Sequence, residues 1–359
     1  MKLAITGGAS AGHVVPALAV AGQLRDRGAE LVFLGRENTI EHDYARRAGI
    51  PFRHVPSAGL RRHRSTSNLL MPFTVARGIV AAYMTLRRER PDALFSKGSY
   101  VSVPVGIGAA LARVPVVIHE SDHSLGLANK ILGRLATTIC LSVAPTGPTP
   151  RWMRNKTQVT GLPLRADLAD AKPEALRTRL GVPDDKRVLL IFCGSSGSQR
   201  INTAVRTQLD ALGEQYNVLH VVGKGNLDPH LVDRPGYWQL EYLHDDMAHA
   251  LALADLVIGR AGATTLAELA ALDLPAVLVP LPASVSRGDQ LDNARAYAEQ
   301  HPEHCRVIAD EQLTDPGALV QACAALSAVP RGGCGSRPRP EAAAERIADL
   351  VLEAASRRR

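Results

Sequence analysis

In each half of the chain a run of apolar residues passes through a glycine-rich turn into a helix-forming stretch, and this repeated unit limits the possible folds more than any other feature. In the first half Lys2-Leu3-Ala4-Ile5-Thr6 leads through Gly7-Gly8 and Gly12-His13 into Pro16-Ala17-Leu18-Ala19-Val20-Ala21-Gly22-Gln23-Leu24. In the second, Arg187-Val188-Leu189-Leu190-Ile191-Phe192 leads through Cys193-Gly194-Ser195-Ser196-Gly197 into a helix from Asn202. Short apolar runs of this kind read as buried strands. Further runs at Glu30-Leu31-Val32-Phe33-Leu34-Gly35, Ala93-Leu94-Phe95-Ser96 and Val114-Pro115-Val116-Val117-Ile118-His119 extend the pattern in the first half. Tyr216-Asn217-Val218-Leu219-His220-Val221-Val222, Leu256-Val257-Ile258 and Ala276-Val277-Leu278-Val279-Pro280 do so in the second. Helical stretches separate the runs, which predicts parallel sheets. The fold class expected is α/β, two Rossmann-like domains with a cleft between them at the carboxyl ends of the strands, where open sheets bind ligands.

At 359 residues the chain is long enough for two domains that each bury a core. The expected division is 1–160 and 161–335, with Gly161-Leu162-Pro163 as hinge, followed by 336–359 as a loop and a last helix over Glu341 to Ser356 that packs back on the first domain. Aromatic residues make up only 4% against 46% hydrophobic, so the cores must be aliphatic. Cys140, Cys193, Cys305, Cys323 and Cys334 are scattered, with neither CxxC spacing nor a histidine cluster, so no zinc site or disulfide framework is expected and a reducing compartment fits. Met1-Lys2 runs directly into Leu3-Ala4-Ile5, and no stretch reaches the roughly 18 apolar residues of a membrane span. A cytoplasmic protein is expected.

The net charge of +7 favours an anionic partner. Arg61-Arg62-His63-Arg64 and Arg87-Arg88-Glu89-Arg90 both lie in the first half. Between them, Leu69, Leu70, Met71, Phe73, Val75, Ile79, Val80, Tyr83 and Met84 accompany Arg77, which suits either an anionic membrane surface or the buried face of a helix. A nucleic-acid partner would need aromatic stacking platforms, and the sequence has few aromatics.

Three turns carry the chemistry. In Gly7-Gly8-Ala9-Ser10-Ala11-Gly12-His13, Gly8, Ser10 and Gly12 sit where a helix N-terminus and open backbone receive a phosphate, although a tight structural turn accounts for the same residues. The turn matches neither GxGxxG nor a lysine-bearing phosphate loop, which argues against NAD and ATP. Gly194-Ser195-Ser196-Gly197-Ser198 occupies the equivalent place in the second half, so a diphosphate on each side would explain both. Arg260-Ala261-Gly262-Ala263-Thr264-Thr265 precedes Glu268 by about one helical turn, which places a carboxylate near a ribose diol or, alternatively, near the N-terminus of a surface helix. His13 is a candidate base for an acceptor hydroxyl. In His119-Glu120-Ser121-Asp122, one carboxylate orients the acceptor or assists deprotonation, or Glu120 is a buried structural partner.

Together these motifs resemble the N-acetylglucosaminyltransferases of peptidoglycan synthesis, the MurG family, from about residue 3 to residue 310. The first turn, Phe95-Ser96-Lys97-Gly98-Ser99-Tyr100-Val101-Ser102-Val103-Pro104, His119-Glu120-Ser121-Asp122 and Gly126-Leu127-Ala128-Asn129-Lys130 resemble its acceptor-side signatures. Gly223-Lys224-Gly225-Asn226, Arg260-Ala261-Gly262-Ala263 with Glu268, and Ser286-Arg287-Gly288-Asp289-Gln290 with Asn293 resemble its donor-side signatures. The resemblance implies a GT-B fold and an inverting, metal-independent transfer of GlcNAc from UDP-GlcNAc to the muramoyl sugar of lipid I, giving lipid II, with no cofactor. It implies a lipid-linked diphosphate sugar as acceptor, an anionic membrane surface as partner, no nucleic acid, and a place on the inner face of the cell membrane. It also implies roles for His13 as base, Arg165 and Ser195 at the donor diphosphate, Glu268 at the ribose, Asp289, Gln290 and Asn293 around the donor sugar, and Asn129 on the acceptor side. Leu162, Cys193 and Ser196 depart from the family pattern. A related GT-B enzyme of specialised metabolism, using a UDP-sugar and another acceptor, is the alternative; a UDP-sugar 2-epimerase shares the layout.

Overall fold

The computed structural model describes residues 1–58, 67–122, 124–145, 150–194, 197–244, 246–285, 288–332 and 341–358, without the side chains of residues 67–70. It forms two compact units, Met1–Ala166 with Pro340–Arg359, and Asp167–Arg339. In chain order the first unit contains β1 (Lys2–Thr6), α1 (Ala11–Asp26), β2 (Glu30–Gly35), α2 (Ile40–Arg47), β3 (Phe52–His54), α3 (Ser67–Glu89), β4 (Ala93–Ser96), α4 (Ser102–Leu111), β5 (Val116–Glu120), α5 (Leu127–Leu135), β6 (Thr138–Leu141) and β7 (Thr157–Val159). The second contains α6 (Pro173–Leu180), β8 (Arg187–Phe192), α7 (Gln199–Thr207), α8 (Leu209–Gln215), β9 (Tyr216–Val221), β10 (Tyr237–Leu240), α9 (Met247–Leu253), β11 (Leu256–Gly259), α10 (Ala263–Leu272), β12 (Ala276–Leu278), α11 (Asp289–Gln300), β13 (Cys305–Val307) and α12 (Ala318–Ala324). The chain then returns to the first unit as α13 (Ala342–Ser356).

The first sheet runs β3-β2-β1-β4-β5-β6-β7 and the second β10-β9-β8-β11-β12-β13. Every described pairing is parallel, so all the loops that follow a strand in one unit emerge at one edge of its sheet. Alternation along the strands divides the first core in two. Leu3, Ile5, Leu31, Phe33 and Phe95 face α1 and α13, whereas Ala4, Val32, Leu34, Leu94 and Ile118 face the layer of α3, α4 and α5. Ile347, Ala348, Val351 and Ala355 recur at helical spacing on α13 and are fully buried, so this last helix completes one of the two covering layers. In the second unit Leu189, Ile191 and Ile258 pack with Ile201 and Val205 of α7 and Leu319 of α12.

Two expectations shift. The first helix begins at Ala11, ahead of Pro16, because the Ser10 carbonyl already accepts from the His13 and Val14 amides at 3.1 Å. Gly161, expected as a hinge, is anchored in the first unit: its carbonyl accepts from His119 Nε2 at 2.9 Å, and a methyl at this position would touch Ala343 at 3.4 Å.

Candidate active site

The first-unit residues expected on the acceptor side lie in the segments that follow β1, β4 and β5, at the carboxyl edge of the sheet. After Thr6 the chain turns through Ala9, which holds the left-handed φ of 69°, and enters α1 with Ser10 as N-cap. The Ser10 hydroxyl does not cap the helix; it pairs with His13 Nδ1 at 2.9 Å and thereby orients the imidazole. Below the turn lies Glu41, fully buried, which the sequence reading did not select. Its Oε2 accepts from the Ala9 amide at 3.2 Å, and a methyl at Gly8 would stand 2.7 Å from its carboxyl carbon. A side chain at residue 8 would therefore displace the Glu41 carboxylate from the turn.

Glu120 ends β5 and is 7% exposed. Its Oε1 accepts from the Ser121 amide at 2.9 Å and the Asp122 amide at 3.3 Å, and its Oε2 accepts from the Gly126 amide at 2.8 Å and Asn129 Nδ2 at 3.0 Å. Both oxygens are engaged, which fixes the carboxylate in place. Of the two roles open to Glu120, these bonds support the structural one. Asn129 also donates to the His119 carbonyl at 3.0 Å, so it locks the start of α5 to β5 and does not present a free amide. Asp122 and the edge of Glu120 border a cavity of about 370 Å³ whose walls are Leu125, Leu141 and Trp152, with Lys130 and Arg134 beside them. The Arg134 guanidinium lies 5.2 Å from the Trp152 ring centre, a cation–π contact.

Lys97 lies in the motif that follows β4 and is not among the expected site residues. It is 1% exposed, and burial pulls its ammonium down to about 8 against the opposing pull of Glu120 and Asp122. His119 is also fully buried and stays well below the ordinary histidine range, first through burial and then through the Lys97 charge, so it is neutral.

In the second unit the residues expected on the donor side lie in the segments that follow β8, β11 and β12, at the carboxyl edge of the sheet. Gly197 holds a φ of 69°, and a methyl there would fall 2.0 Å from the Val222 carbonyl oxygen, so only glycine fits ahead of α7. Ser198 caps α7 by accepting from the Ile201 amide at 3.4 Å. Arg260, at the end of β11, donates to the Ser198 hydroxyl at 2.8 Å, to the Val279 carbonyl at 3.0 Å and to Asp310 Oδ1 at 2.6 Å. This single guanidinium ties the second turn to β12, another positioning residue the sequence did not disclose. Ala263 and Thr264 open α10, and Glu268 one turn later is 2% exposed, so it does not sit on a solvent-facing helix surface. Asp289 begins α11; Gln290 accepts from the Leu281 amide at 3.0 Å and Asn293 donates to the Ala261 carbonyl at 3.3 Å, which brings both to the same edge. Burial pushes the Cys193 thiol up to about 12, so this departure from the family pattern adds no charge beside the turn.

Ser195 and Ser196, like Ser286, Arg287 and the basic cluster Arg61-Arg62-His63-Arg64, lie outside the described residues. Arg165 stands at the end of the first unit, half-buried, next to Ala166 where that unit stops. On α3, Phe73, Val80, Tyr83 and Met84 are exposed alongside Arg77, Arg87 and Arg88, while Ala82 and Leu86 fill the core. No described helix is long and apolar enough to cross a membrane.

Residues 3–141 match the N-terminal domain of glycosyltransferase family 28, and residues 188–331 match its C-terminal domain. A Clostridium perfringens protein named UDP-N-acetylglucosamine--N-acetylmuramyl-(pentapeptide) pyrophosphoryl-undecaprenol N-acetylglucosamine transferase is 42% identical over 313 residues, 87% of this chain and 86% of the relative. A protein of the same name from Geobacillus kaustophilus is 41% identical over 315 residues, 88% of this chain and 87% of the relative. Among solved structures, Acinetobacter baumannii MurG superposes with a TM-score of 0.64 at 24% identity, covering 98% of this chain and 99% of that one, a likeness of fold. Two Rossmann-like units with their glycine-rich turns at the strand ends, two family domains and this level of identity place the chain in glycosyltransferase family 28, within its MurG branch.

Proposed function

We propose that this protein transfers N-acetylglucosamine from UDP-N-acetylglucosamine to the muramoyl sugar of a lipid-linked diphosphate acceptor, with inversion at the anomeric carbon. The observation that carries this reading is the identity of 42% with transferases named for that donor and acceptor, spread over both units. It favours the muramoyl acceptor over an acceptor of specialised metabolism.

The chemistry follows from the two sheet edges. On the first unit, the N-terminus of α1 and the open backbone at Gly8 and Gly12 receive the acceptor diphosphate. His13, aligned by Ser10, takes the proton of the attacking hydroxyl, and Asp122 orients that hydroxyl. On the second unit, Glu268 accepts from the ribose diol, Asp289, Gln290 and Asn293 surround the donor sugar, and the N-termini of α7 and α10, with Gly197, Ala263 and Thr264, face the diphosphate. Arg165 and Ser195 belong to the same donor diphosphate. One carbon–oxygen bond forms at the anomeric carbon as the bond to the UDP oxygen breaks, the proton resides on His13, and UDP departs as the anion. Helix N-termini and the Arg165 guanidinium are the groups assigned to that charge in this reading, which calls for no metal. Phe73, Val80 and Met84 with the neighbouring arginines form the surface that rests on anionic lipid at the inner face of the membrane.

Calorimetric titration in EDTA tests the donor half. UDP and UDP-N-acetylglucosamine are expected to bind, and failure of both to bind would overturn the reading.

A further inference from the structure

The first unit carries a buried charge that the reaction described above leaves unused. Lys97 follows β4 directly, and its amide donates to the Thr6 carbonyl at 2.9 Å. A methyl at Gly7 would fall 2.9 Å from its Cβ, so its backbone is pressed against the turn that leads to His13. From there the side chain reaches across to the segment after β5 and donates to the Ser121 hydroxyl. An ammonium has three N–H donors, and among the described residues Ser121 is its one hydrogen-bond acceptor. Three titratable groups on and after β5 face it: the carboxylates of Glu120 and Asp122, which favour its charge, and His119, which its charge keeps neutral. A cation this deeply buried is tolerated only when opposite charges balance it, and removing it leaves those charges uncompensated.

We propose that Lys97 is a positioning residue of the acceptor side: through Ser121 and the charges of Glu120 and Asp122 it holds the 119–122 segment and the His13 turn in one fixed arrangement. The proposal rests on the reading of this edge as the acceptor side. Glu120 is fixed by four hydrogen bonds of its own, and Asp122, the other carboxylate that faces Lys97, is the one assigned to the attacking hydroxyl, so the test pairs Asp122 with Lys97. The ammonium is the functional form. Because burial holds it near 8, rising pH removes the proton within the working range.

The test is a double-mutant cycle of Lys97→Met and Asp122→Asn, read by transfer kinetics from pH 6 to 10, by UDP affinity and by thermal unfolding. Lys97→Met is expected to lower kcat at least ~10-fold with UDP affinity unchanged, the scale of a misplaced catalytic segment. In the Asp122→Asn background the same change is expected to cost less than ~3-fold, because one of the two facing charges, the one that orients the hydroxyl, is already gone. The wild type is expected to lose kcat above pH 8, and Lys97→Met to lack that basic limb. A loss of equal size in both backgrounds, or a basic limb that survives in Lys97→Met, would overturn the proposal. If the wild type transfers nothing to the lipid-linked acceptor, the functional reading fails and the melting arm, which needs no substrate, decides about Lys97. Lys97→Met then lowers the melting temperature less in the Asp122→Asn background if the two charges are coupled, and equally in both if they are not.

Discussion

At the scale of single residues, the side chains proposed to touch substrate were legible because their chemistry is tied to a turn, whereas those that hold them were not. His13 and Glu268 follow glycine-rich turns at strand ends, a context visible in the sequence. Lys97 and Glu41 belong to residue types that are mostly exposed, and their burial exists only once β1, β4 and α2 are assembled. Replacing His13 by alanine is expected to lower kcat by ~10²–10⁴-fold while UDP affinity is kept, measured by steady-state kinetics and calorimetry. Glu268→Ala reverses the pattern: UDP affinity falls ~10–100-fold, the worth of a charge-assisted hydrogen bond, and an unaltered dissociation constant removes Glu268 from the ribose. Two buried histidines set the acid response. His119 is held well below the ordinary range by burial, and His220 is lowered to about 3 by burial, with the Tyr237 hydroxyl at 2.9 Å from its Nδ1 and Asn202 Oδ1 at 3.1 Å from its Nε2. Both have folded pKa values below their unfolded value of about 6.5, so the unfolded chain binds more protons below that pH. Stability is therefore constant with respect to these groups above pH 7 and falls as pH drops through 6.5, by up to ~1.4 kcal/mol per pH unit for each histidine. Urea unfolding at pH 7 and pH 5 reads the slope, and replacing His220 by asparagine is expected to reduce it.

Strands inside an apolar run were readable from the sequence, even the short β4, β11 and β12; the strands at the sheet edges were not. β3, β7, β10 and β13 lie at sheet edges, have three or four residues, and include exposed or half-exposed positions such as Arg53, Gln158 and Arg306, so no continuous apolar run marks them. β6 is interior and was not expected, although β4 and β11 are of the same length. α3 was open to two readings, core or membrane surface, and the burial pattern gives it one buried and one exposed face. Replacing Phe73 and Met84 by glutamate is expected to release the protein from anionic vesicles in a sedimentation assay while the melting temperature stays unchanged, since both side chains are exposed. Unchanged vesicle binding would move the lipid-contacting surface elsewhere. The turn before α7 has no such tolerance. Gly197→Ala places a methyl 2.0 Å from the Val222 carbonyl oxygen on a backbone with φ 69°, and is expected to destabilise the protein by about 1–3 kcal/mol and to weaken UDP binding.

For the whole molecule, the doubled architecture was the strongest message in the sequence, because two strand–turn–helix units in separate halves demand two parallel sheets. The limits of the units were less legible: tertiary contacts bind Gly161 into the first unit and leave no local signal there, whereas the apolar spacing of α13 already marked a helix that had to dock. Removing residues 341–359 is therefore expected to unfold the first unit by exposing the face of Leu3, Ile5 and Phe33, detected as loss of its cooperative melting. The central claim is a reaction, the joining of a nucleotide-activated sugar to a lipid-linked acceptor. The measurement that tests it most directly is transfer of radiolabelled N-acetylglucosamine from UDP-N-acetylglucosamine to a short-chain lipid I analogue, with EDTA present and the product extracted into solvent. The account predicts a labelled, β-linked disaccharide lipid formed in step with UDP release. UDP bound but no label in the lipid fraction would contradict it.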